Sequence, residues 1–226
     1  MRRFMGPKRL WGSPDGPDED WIKPHVLWLP QHEAPVMEYF RRLRAIVERY
    51  PDVIAPIADE DLHLTVQSVK QHNREGARVD GEQLARAAAA VQRELESLEP
   101  FEIEIGPARA SGSAGIVEIW PETGLADLNR RVRAGLLAED MSLPPEETHF
   151  WPHMSCGYGA QDSTSAELAA RSDQFASEVG KGIRPAIRAR AMVSSVWLVW
   201  ERQEPDRNTY TFQRVHELHL GKPAPK

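Results

Sequence analysis

Two short segments of this 226-residue chain each place a histidine two positions before a hydroxyl residue. His63 and Thr65 lie in the run Leu-His-Leu-Thr-Val, and His153 and Ser155 lie in Pro-His-Met-Ser-Cys. Because side chains alternate across a strand, each pair shares one face, and its apolar neighbours share the other. Histidine titrates near neutral pH, and hydroxyls donate hydrogen bonds to anionic oxygens. The four residues together therefore suit general acid–base chemistry.

Either motif alone is more typical of a strand histidine that is hydrogen-bonded within the fold. A polar pair inside an apolar strand needs a partner or a function, since unpaired buried polar groups cost free energy. The two motifs open equivalent segments of an internal repeat, in which strand, helix, strand and strand occupy about 62–120 and again about 153–201. This recurrence favours one shared site over two separate core histidines.

The spacing of apolar residues predicts strands and helices on both sides of the first motif, from residue 25 to residue 220. The predicted helices span 33–50, 82–98, 122–138 and 163–179, and the predicted strands span 25–30, 62–69, 101–105, 115–120, 153–159, 187–201 (one or two strands) and 209–220. We expect an α+β fold. It should have two pseudo-symmetric lobes of antiparallel or mixed sheet, outer helices, and an active site in the cleft between the lobes.

The first 24 residues read as an irregular N-terminal arm. Turn-forming and acidic residues crowd 12–20, which disfavours regular structure, whereas Trp11 and Trp21 indicate that part of the arm docks on the body. We expect a single bilobal domain over 25–220 and a tail over 221–226. His25, His32 and His72 are expected at the surface or in the first turn of an element.

Composition excludes several classes of protein. With 41% hydrophobic and 27% charged residues, wholesale disorder is excluded. A net charge of -6 disfavours non-specific binding to duplex DNA, which depends on many Lys and Arg residues. The single cysteine, Cys156, is placed on a core face and is typical of a reducing cytoplasm. No stretch is apolar enough to span a membrane, and we expect a cytoplasmic monomer.

The two motifs resemble the paired His-x-Thr/Ser-x tetrads of the 2H phosphoesterases, the superfamily of 2′-5′ RNA ligases and RNA 2′,3′-cyclic phosphodiesterases. The resemblance covers about 25–220. It implies that His63 and His153 are the acid–base pair, that Thr65 and Ser155 hold the phosphate, and that no metal or other cofactor is needed. It also assigns the general base for hydrolysis to His153.

Three aromatic residues extend this resemblance to substrate binding. Tyr158 is similar to a tyrosine of the plant and fungal cyclic phosphodiesterases, at a place where bacterial ligase-like members have Arg or Lys. Trp28 resembles a first-strand tryptophan near the site in that branch, and Trp151 lies in the loop that enters the second motif. The alternative for each is packing within the fold.

The resemblance implies a hydrolase of RNA processing that opens a 2′,3′-cyclic phosphate, on an RNA end or a small nucleotide, to a 2′-phosphate. One alternative is a 2′-5′ RNA ligase, or a phosphodiesterase for another cyclic or 2′-5′-linked nucleotide. Others are a module that binds RNA ends or nucleotides without turnover, and a structural domain whose histidines belong to the core.

Overall fold

The computed structural model describes residues 1–181 and 188–221. The strands are Ile22–Trp28 (β1), Ile54–Pro56 (β2), Leu64–Ser68 (β3), Phe101–Ala110 (β4), Ala114–Trp120 (β5), His153–Gly159 (β6), Ala189–Val193 (β7), Ser195–Glu204 (β8) and Thr209–His219 (β9). The helices are Ala34–Val47 (α1), Gly81–Leu95 (α2), Glu122–Ala138 (α3) and Ala166–Val179 (α4). The predicted strand start at 187 and the predicted tail beyond 221 lie outside the described residues.

Local sequence explains where two of the helices begin. The side chain of Asp80 accepts a hydrogen bond of 2.8 Å from the Gln83 amide at the start of α2. Ser165 accepts one of 3.1 Å from the Leu168 amide at the start of α4. Both are N-caps, which satisfy amides that have no partner inside the helix. In the described part of the chain, no helix combines the length and the apolar character needed to cross a bilayer.

The strands form a sheet whose pairings are all antiparallel, in the order β7-β4-β5-β6-β3-β1-β8-β9, with β2 beside β6. One half, β7-β4-β5-β6, meets the other half, β3-β1-β8-β9, through a single residue pair, Leu64 and Met154. Helices α1 and α4 pack on the first half, and α2 and α3 on the second. This arrangement confirms the predicted α+β fold with two lobes.

The symmetry of the two halves differs from the predicted repeat. The predicted order of elements is present, as β3-α2-β4-β5 and β6-α4-β7-β8. In the sheet, however, β3 and β6 are the strands at which the two halves meet, and each has one neighbour within its own half, β1 beside β3 and β5 beside β6. The unit that repeats in space is therefore β1-α1-β3-α2 and β5-α3-β6-α4. Pairing between strands far apart in the chain decides which elements form the repeating unit, and the periodicity of the sequence does not reveal that pairing.

The first 21 residues lie against the body and contain two short 3-10 helices, Pro7–Arg9 and Asp18–Trp21. We call residues 1–11 the N-terminal strap. Its backbone is hydrogen-bonded to the second motif's half of the sheet at two places. The Arg2 amide donates at 2.8 Å to the carbonyl of Gly112, in the β4–β5 turn, and the Phe4 amide donates at 2.9 Å to the carbonyl of Gly159, at the end of β6. The strap is thus held at the end of β6.

Candidate active site

The junction between the two halves of the sheet brings both motifs together. Leu64 pairs with Met154 in antiparallel register, which places His63 across from Ser155 and Thr65 across from His153. The neighbours on the other face are buried, as alternation requires. The four polar residues line one cavity of about 930 Å³. The structure therefore unites the four residues that the motifs single out.

The two histidines are oriented in the same way. Nδ1 of His63 lies 2.7 Å from the carbonyl oxygen of Asp61, and Nδ1 of His153 lies 3.0 Å from that of Trp151. A carbonyl oxygen can only accept, so each contact assigns the proton to Nδ1. Nε2 of each ring is left to accept or donate a proton. Each histidine is thus held by the backbone two residues before it.

Trp151 forms a wall beside His153. Its ring stacks on the imidazole with the ring centres 4.3 Å apart, and its Nε1 donates to Glu118 at 3.0 Å. Burial acts to raise the pKa of Glu118, but hydrogen bonds from Arg109 and Trp151 outweigh it and lower that pKa. Glu118 is therefore ionised at neutral pH, and it anchors the indole that orients His153.

A buried carboxylate that the sequence interpretation missed lies beside His63. Glu201, on β8, has Oε2 2.7 Å from Nδ1 of His25 and Oε1 3.8 Å from Nε2 of His63. All three residues line the cavity. The expectation that His25 is near the surface was wrong, because β1 lies between β3 and β8 and the residue is 4% exposed. The only signal in the sequence was an acidic residue ending an apolar strand.

Burial and charge act in opposite directions on this group. Burial outweighs the nearby Glu201 carboxylate at His63, so the pKa of His63 is lowered, although the carboxylate offsets part of the effect. Burial acts to raise the pKa of Glu201, but His25, His63 and Lys23 outweigh it, so the pKa of Glu201 is lowered. Glu201 therefore remains ionised and favours a proton on His63.

The cavity is rich in cations although the chain as a whole is acidic. Its basic lining residues, apart from histidines, outnumber its acidic ones by five to two. They are Arg2, Arg3, Lys8, Arg9 and Lys23, against Asp162 and Glu201. Four of the five cations come from the N-terminal strap, so the strap supplies most of the positive charge at the site.

The three aromatic residues predicted to contact substrate occupy different environments. Trp151 lines the cavity and is 40% exposed. Tyr158 also lines the cavity, but it is buried and its ring stacks on Phe4 of the strap at 4.0 Å. Trp28 is packed in the hydrophobic core and is not part of the cavity lining. It points to the opposite face of β1 from His25.

Other chemistries have few candidate groups in the described residues. Burial raises the pKa of the Cys156 thiol to about 12, so this cysteine is not a ready nucleophile. Within 1–181 and 188–221, no group of three or more His, Cys, Asp or Glu side chains is placed to hold a metal ion. The imidazoles and hydroxyls of the two motifs, with Glu201 and His25 beside them, are therefore the groups best placed for chemistry in the cavity.

Solved structures share this fold. E. coli LigT in complex with 3′-AMP is 14% identical, with 88% of this chain and 99% of that chain covered and a TM-score of 0.56. The protein TT0787 of Thermus thermophilus is 14% identical over the same shares, with a TM-score of 0.58. The PDE domain of MHV ns2 is 10% identical, with 85% and 100% covered and a TM-score of 0.50. At these identities the likeness concerns the fold.

Family membership follows from the sequence itself. No curated protein matches the chain. A family profile, that of the 2′-5′ RNA ligase superfamily, matches residues 30–205, which is most of the chain and includes both motifs. This chain therefore belongs to the 2′-5′ RNA ligase superfamily.

Proposed function

We propose that this protein is a cyclic phosphodiesterase that opens a 2′,3′-cyclic phosphate to a 2′-phosphate by acid–base catalysis between two histidines. The observation that carries the proposal is the pairing of Leu64 with Met154, which gathers both motifs on one face at one cavity. This chemistry needs no metal ion or other cofactor. Membership of a phosphoesterase and ligase superfamily supports an enzymatic role.

The reaction is an attack of water on phosphorus with loss of the 3′ oxygen. His153 takes a proton from water through Nε2, the water oxygen bonds to phosphorus, and the bond from phosphorus to the 3′ oxygen breaks. Nε2 of His63 donates its proton to that oxygen. Glu201 at 3.8 Å supports this division of roles, because its carboxylate offsets part of the cost of protonating the buried His63. The product keeps its phosphate on the 2′ oxygen.

Thr65 and Ser155 take the role of donors to the non-bridging phosphate oxygens. Each lies two residues after a catalytic histidine on the same strand face, and each is across the junction from the other motif's histidine. Negative charge on these oxygens grows as the attacking oxygen bonds to phosphorus. Hydroxyls aimed at this position therefore stabilise the transition state more than the bound substrate.

The proposal is tested by hydrolysis of the four nucleoside 2′,3′-cyclic monophosphates in EDTA, with the product isomer identified. We expect turnover to the 2′-phosphate by the wild type and its loss in His63→Ala and His153→Ala. His72→Ala is the matched control, because His72 is exposed and does not line the cavity. Undiminished turnover in either motif variant contradicts the two-histidine mechanism.

The same four groups can catalyse a parallel transfer, in which a 5′ hydroxyl attacks the cyclic phosphate in place of water and the bond from phosphorus to the 3′ oxygen breaks as before. The family description names this 2′-5′ ligase activity, which makes it the second candidate. Supplying an RNA with a free 5′ hydroxyl and measuring 2′-5′-linked product distinguishes the two. Tight binding of the cyclic phosphate with neither product formed points to a binding module.

A further inference from the structure

The N-terminal strap forms part of the wall of the active-site cavity. Eight of its residues line the cavity, and they are Arg2, Arg3, Phe4, Gly6, Pro7, Lys8, Arg9 and Trp11. The strap lies outside 30–205, the range that the superfamily profile matches. The shared family sequence therefore does not account for this wall.

Several contacts hold the strap in one position. Beyond its backbone bonds to the β4–β5 turn and to Gly159, the amide of Met5 donates to the Asn208 side chain at 3.0 Å, and the amide of Trp11 to Gln203 at 3.1 Å. Asn208 is buried, and its own amide donates to the Gly159 carbonyl at 3.0 Å. The strap is thus held by hydrogen bonds from four of its backbone amides, so its side chains have a defined position over the cavity.

The charges of the N-terminal segment are separated between its two parts. The acidic second part is paired with cations of the body: Asp18 with Arg202, and Asp20 with Arg78 at 3.1 Å. The side-chain contacts of the strap arginines are of another kind, with a backbone carbonyl and an aromatic ring. Arg3 donates to the Pro205 carbonyl at 2.9 Å, and Arg9 lies over the Phe4 ring at 4.6 Å.

Few carboxylates inside the cavity can neutralise the positive charge of these cations. Of the two acidic lining residues, Glu201 is already shared by His25 and His63, and Asp162 accepts from the Arg3 amide at 3.1 Å. Among the residues that the structure describes, no ion pair joins a carboxylate to Arg2, Arg3, Lys8 or Arg9. The strap therefore presents unneutralised positive charge to whatever occupies the cavity.

We infer that the strap cations Arg2, Arg3, Lys8 and Arg9 form a second anion subsite, which selects substrates that carry another phosphate on the 5′ side of the ribose bearing the cyclic phosphate. This inference rests on the proposed function, since the motif residues must hold the cyclic phosphate. A cavity of about 930 Å³ is at the large end for a small-molecule site and leaves room beyond a single cyclic mononucleotide. Guanidinium groups suit this role, because they bind phosphate oxygens in a bidentate manner.

The second phosphate can be a 5′-phosphomonoester or the internucleotide phosphodiester of an RNA end. The experiment therefore compares three substrates: cytidine 2′,3′-cyclic phosphate, its 5′-phosphorylated form, and a dinucleotide that ends in the cyclic phosphate. We expect kcat/KM to be at least about tenfold higher for one or both two-phosphate substrates, mainly through KM, since each charge-assisted contact contributes about one such factor. The preferred substrate identifies the source of the phosphate.

Removal of the strap charges should abolish this preference. In the quadruple variant Arg2→Gln, Arg3→Gln, Lys8→Gln and Arg9→Gln, the ratio of kcat/KM between two-phosphate and one-phosphate substrates should fall to near one. The double variant Arg41→Gln and Arg42→Gln is the control, because these α1 arginines are exposed and do not line the cavity. A preference that survives the quadruple variant, or is absent from the wild type, overturns the subsite.

A second variant tests the position of the strap without changing its charge. A Cβ at Gly159 would overlap the Arg2 carbonyl oxygen, so Gly159→Ala should displace the strap and reduce the same preference. Titration calorimetry keeps the result independent of catalysis: cytidine 2′,5′-bisphosphate should bind at least about tenfold tighter than the 2′-monophosphate to the wild type and equally to the quadruple variant. If no substrate turns over, the proposed function fails, and this titration alone decides the subsite.

Discussion

Replacement of Glu201 by glutamine should lower the pKa of His63 and shift one limb of the pH–rate profile. The carboxylate Oε1 lies 3.8 Å from Nε2 of His63. Two unit charges at that distance attract by about 4 kcal/mol at an effective dielectric constant of about 20, and by about 1 kcal/mol in water. The loss of the carboxylate should therefore lower the pKa of His63, through the loss of an attraction that lies between these two energies. His25, which shares the carboxylate, keeps the effect below the upper figure.

The assay is the pH dependence of kcat/KM, whose limbs report the free enzyme's acid and base. With His63 as the acid, its deprotonation forms the alkaline limb, and Glu201→Gln should move that limb to lower pH. The acid limb should stay in place. Glu94→Gln is the matched control, because Glu94 is exposed on α2 and does not line the cavity.

The outcomes are distinct. Movement of the acid limb to lower pH keeps the coupling but exchanges the roles of the two histidines. If neither limb moves, the reasoning about Glu201 is refuted. Proton NMR titration of the His63 ring in the same variant measures the pKa directly, even where turnover is too slow to assay.

Three further predictions follow from the described contacts. Thr65→Val and Ser155→Ala should each lower kcat about a hundredfold with a smaller change in KM, measured by steady-state kinetics. A rise in KM as large as the fall in kcat argues against a role for these hydroxyls as transition-state donors. Cys156 should resist iodoacetamide at pH 8 in the native protein and react in urea, because its thiol is buried with a pKa of about 12. Burial, with Glu60 adding to it, raises the pKa of Asp61 to about 6 from 3.8, so the native state holds this proton more tightly than the unfolded chain. Urea unfolding should therefore show stability falling as pH rises from about 4 to 6, and Asp61→Asn should reduce that fall.

Local patterns were enough to predict most elements of this fold. Helix α3 at Glu122–Ala138 and strand β6 at His153–Gly159 begin and end where their apolar spacing predicts. The three-residue strand β2 at Ile54–Pro56 was missed, because so short a segment has no period of its own and exists through its pairing with β6. Strand β1 begins at Ile22, earlier than predicted, since pairing with β8 extends it over the three residues before His25.

The sequence by itself determined the chemistry that this protein can offer: two His-x-hydroxyl strands, each with one polar and one buried face. Alternation along a strand is a local property, so neighbouring residues are sufficient to read it. Tertiary structure decided which groups surround that chemistry. Glu201 and the strap cations reach the cavity through strand order and loop docking, which depend on contacts between residues far apart in the chain. Because such contacts leave no period in the sequence, the buried carboxylate and the basic wall became visible only in the folded molecule.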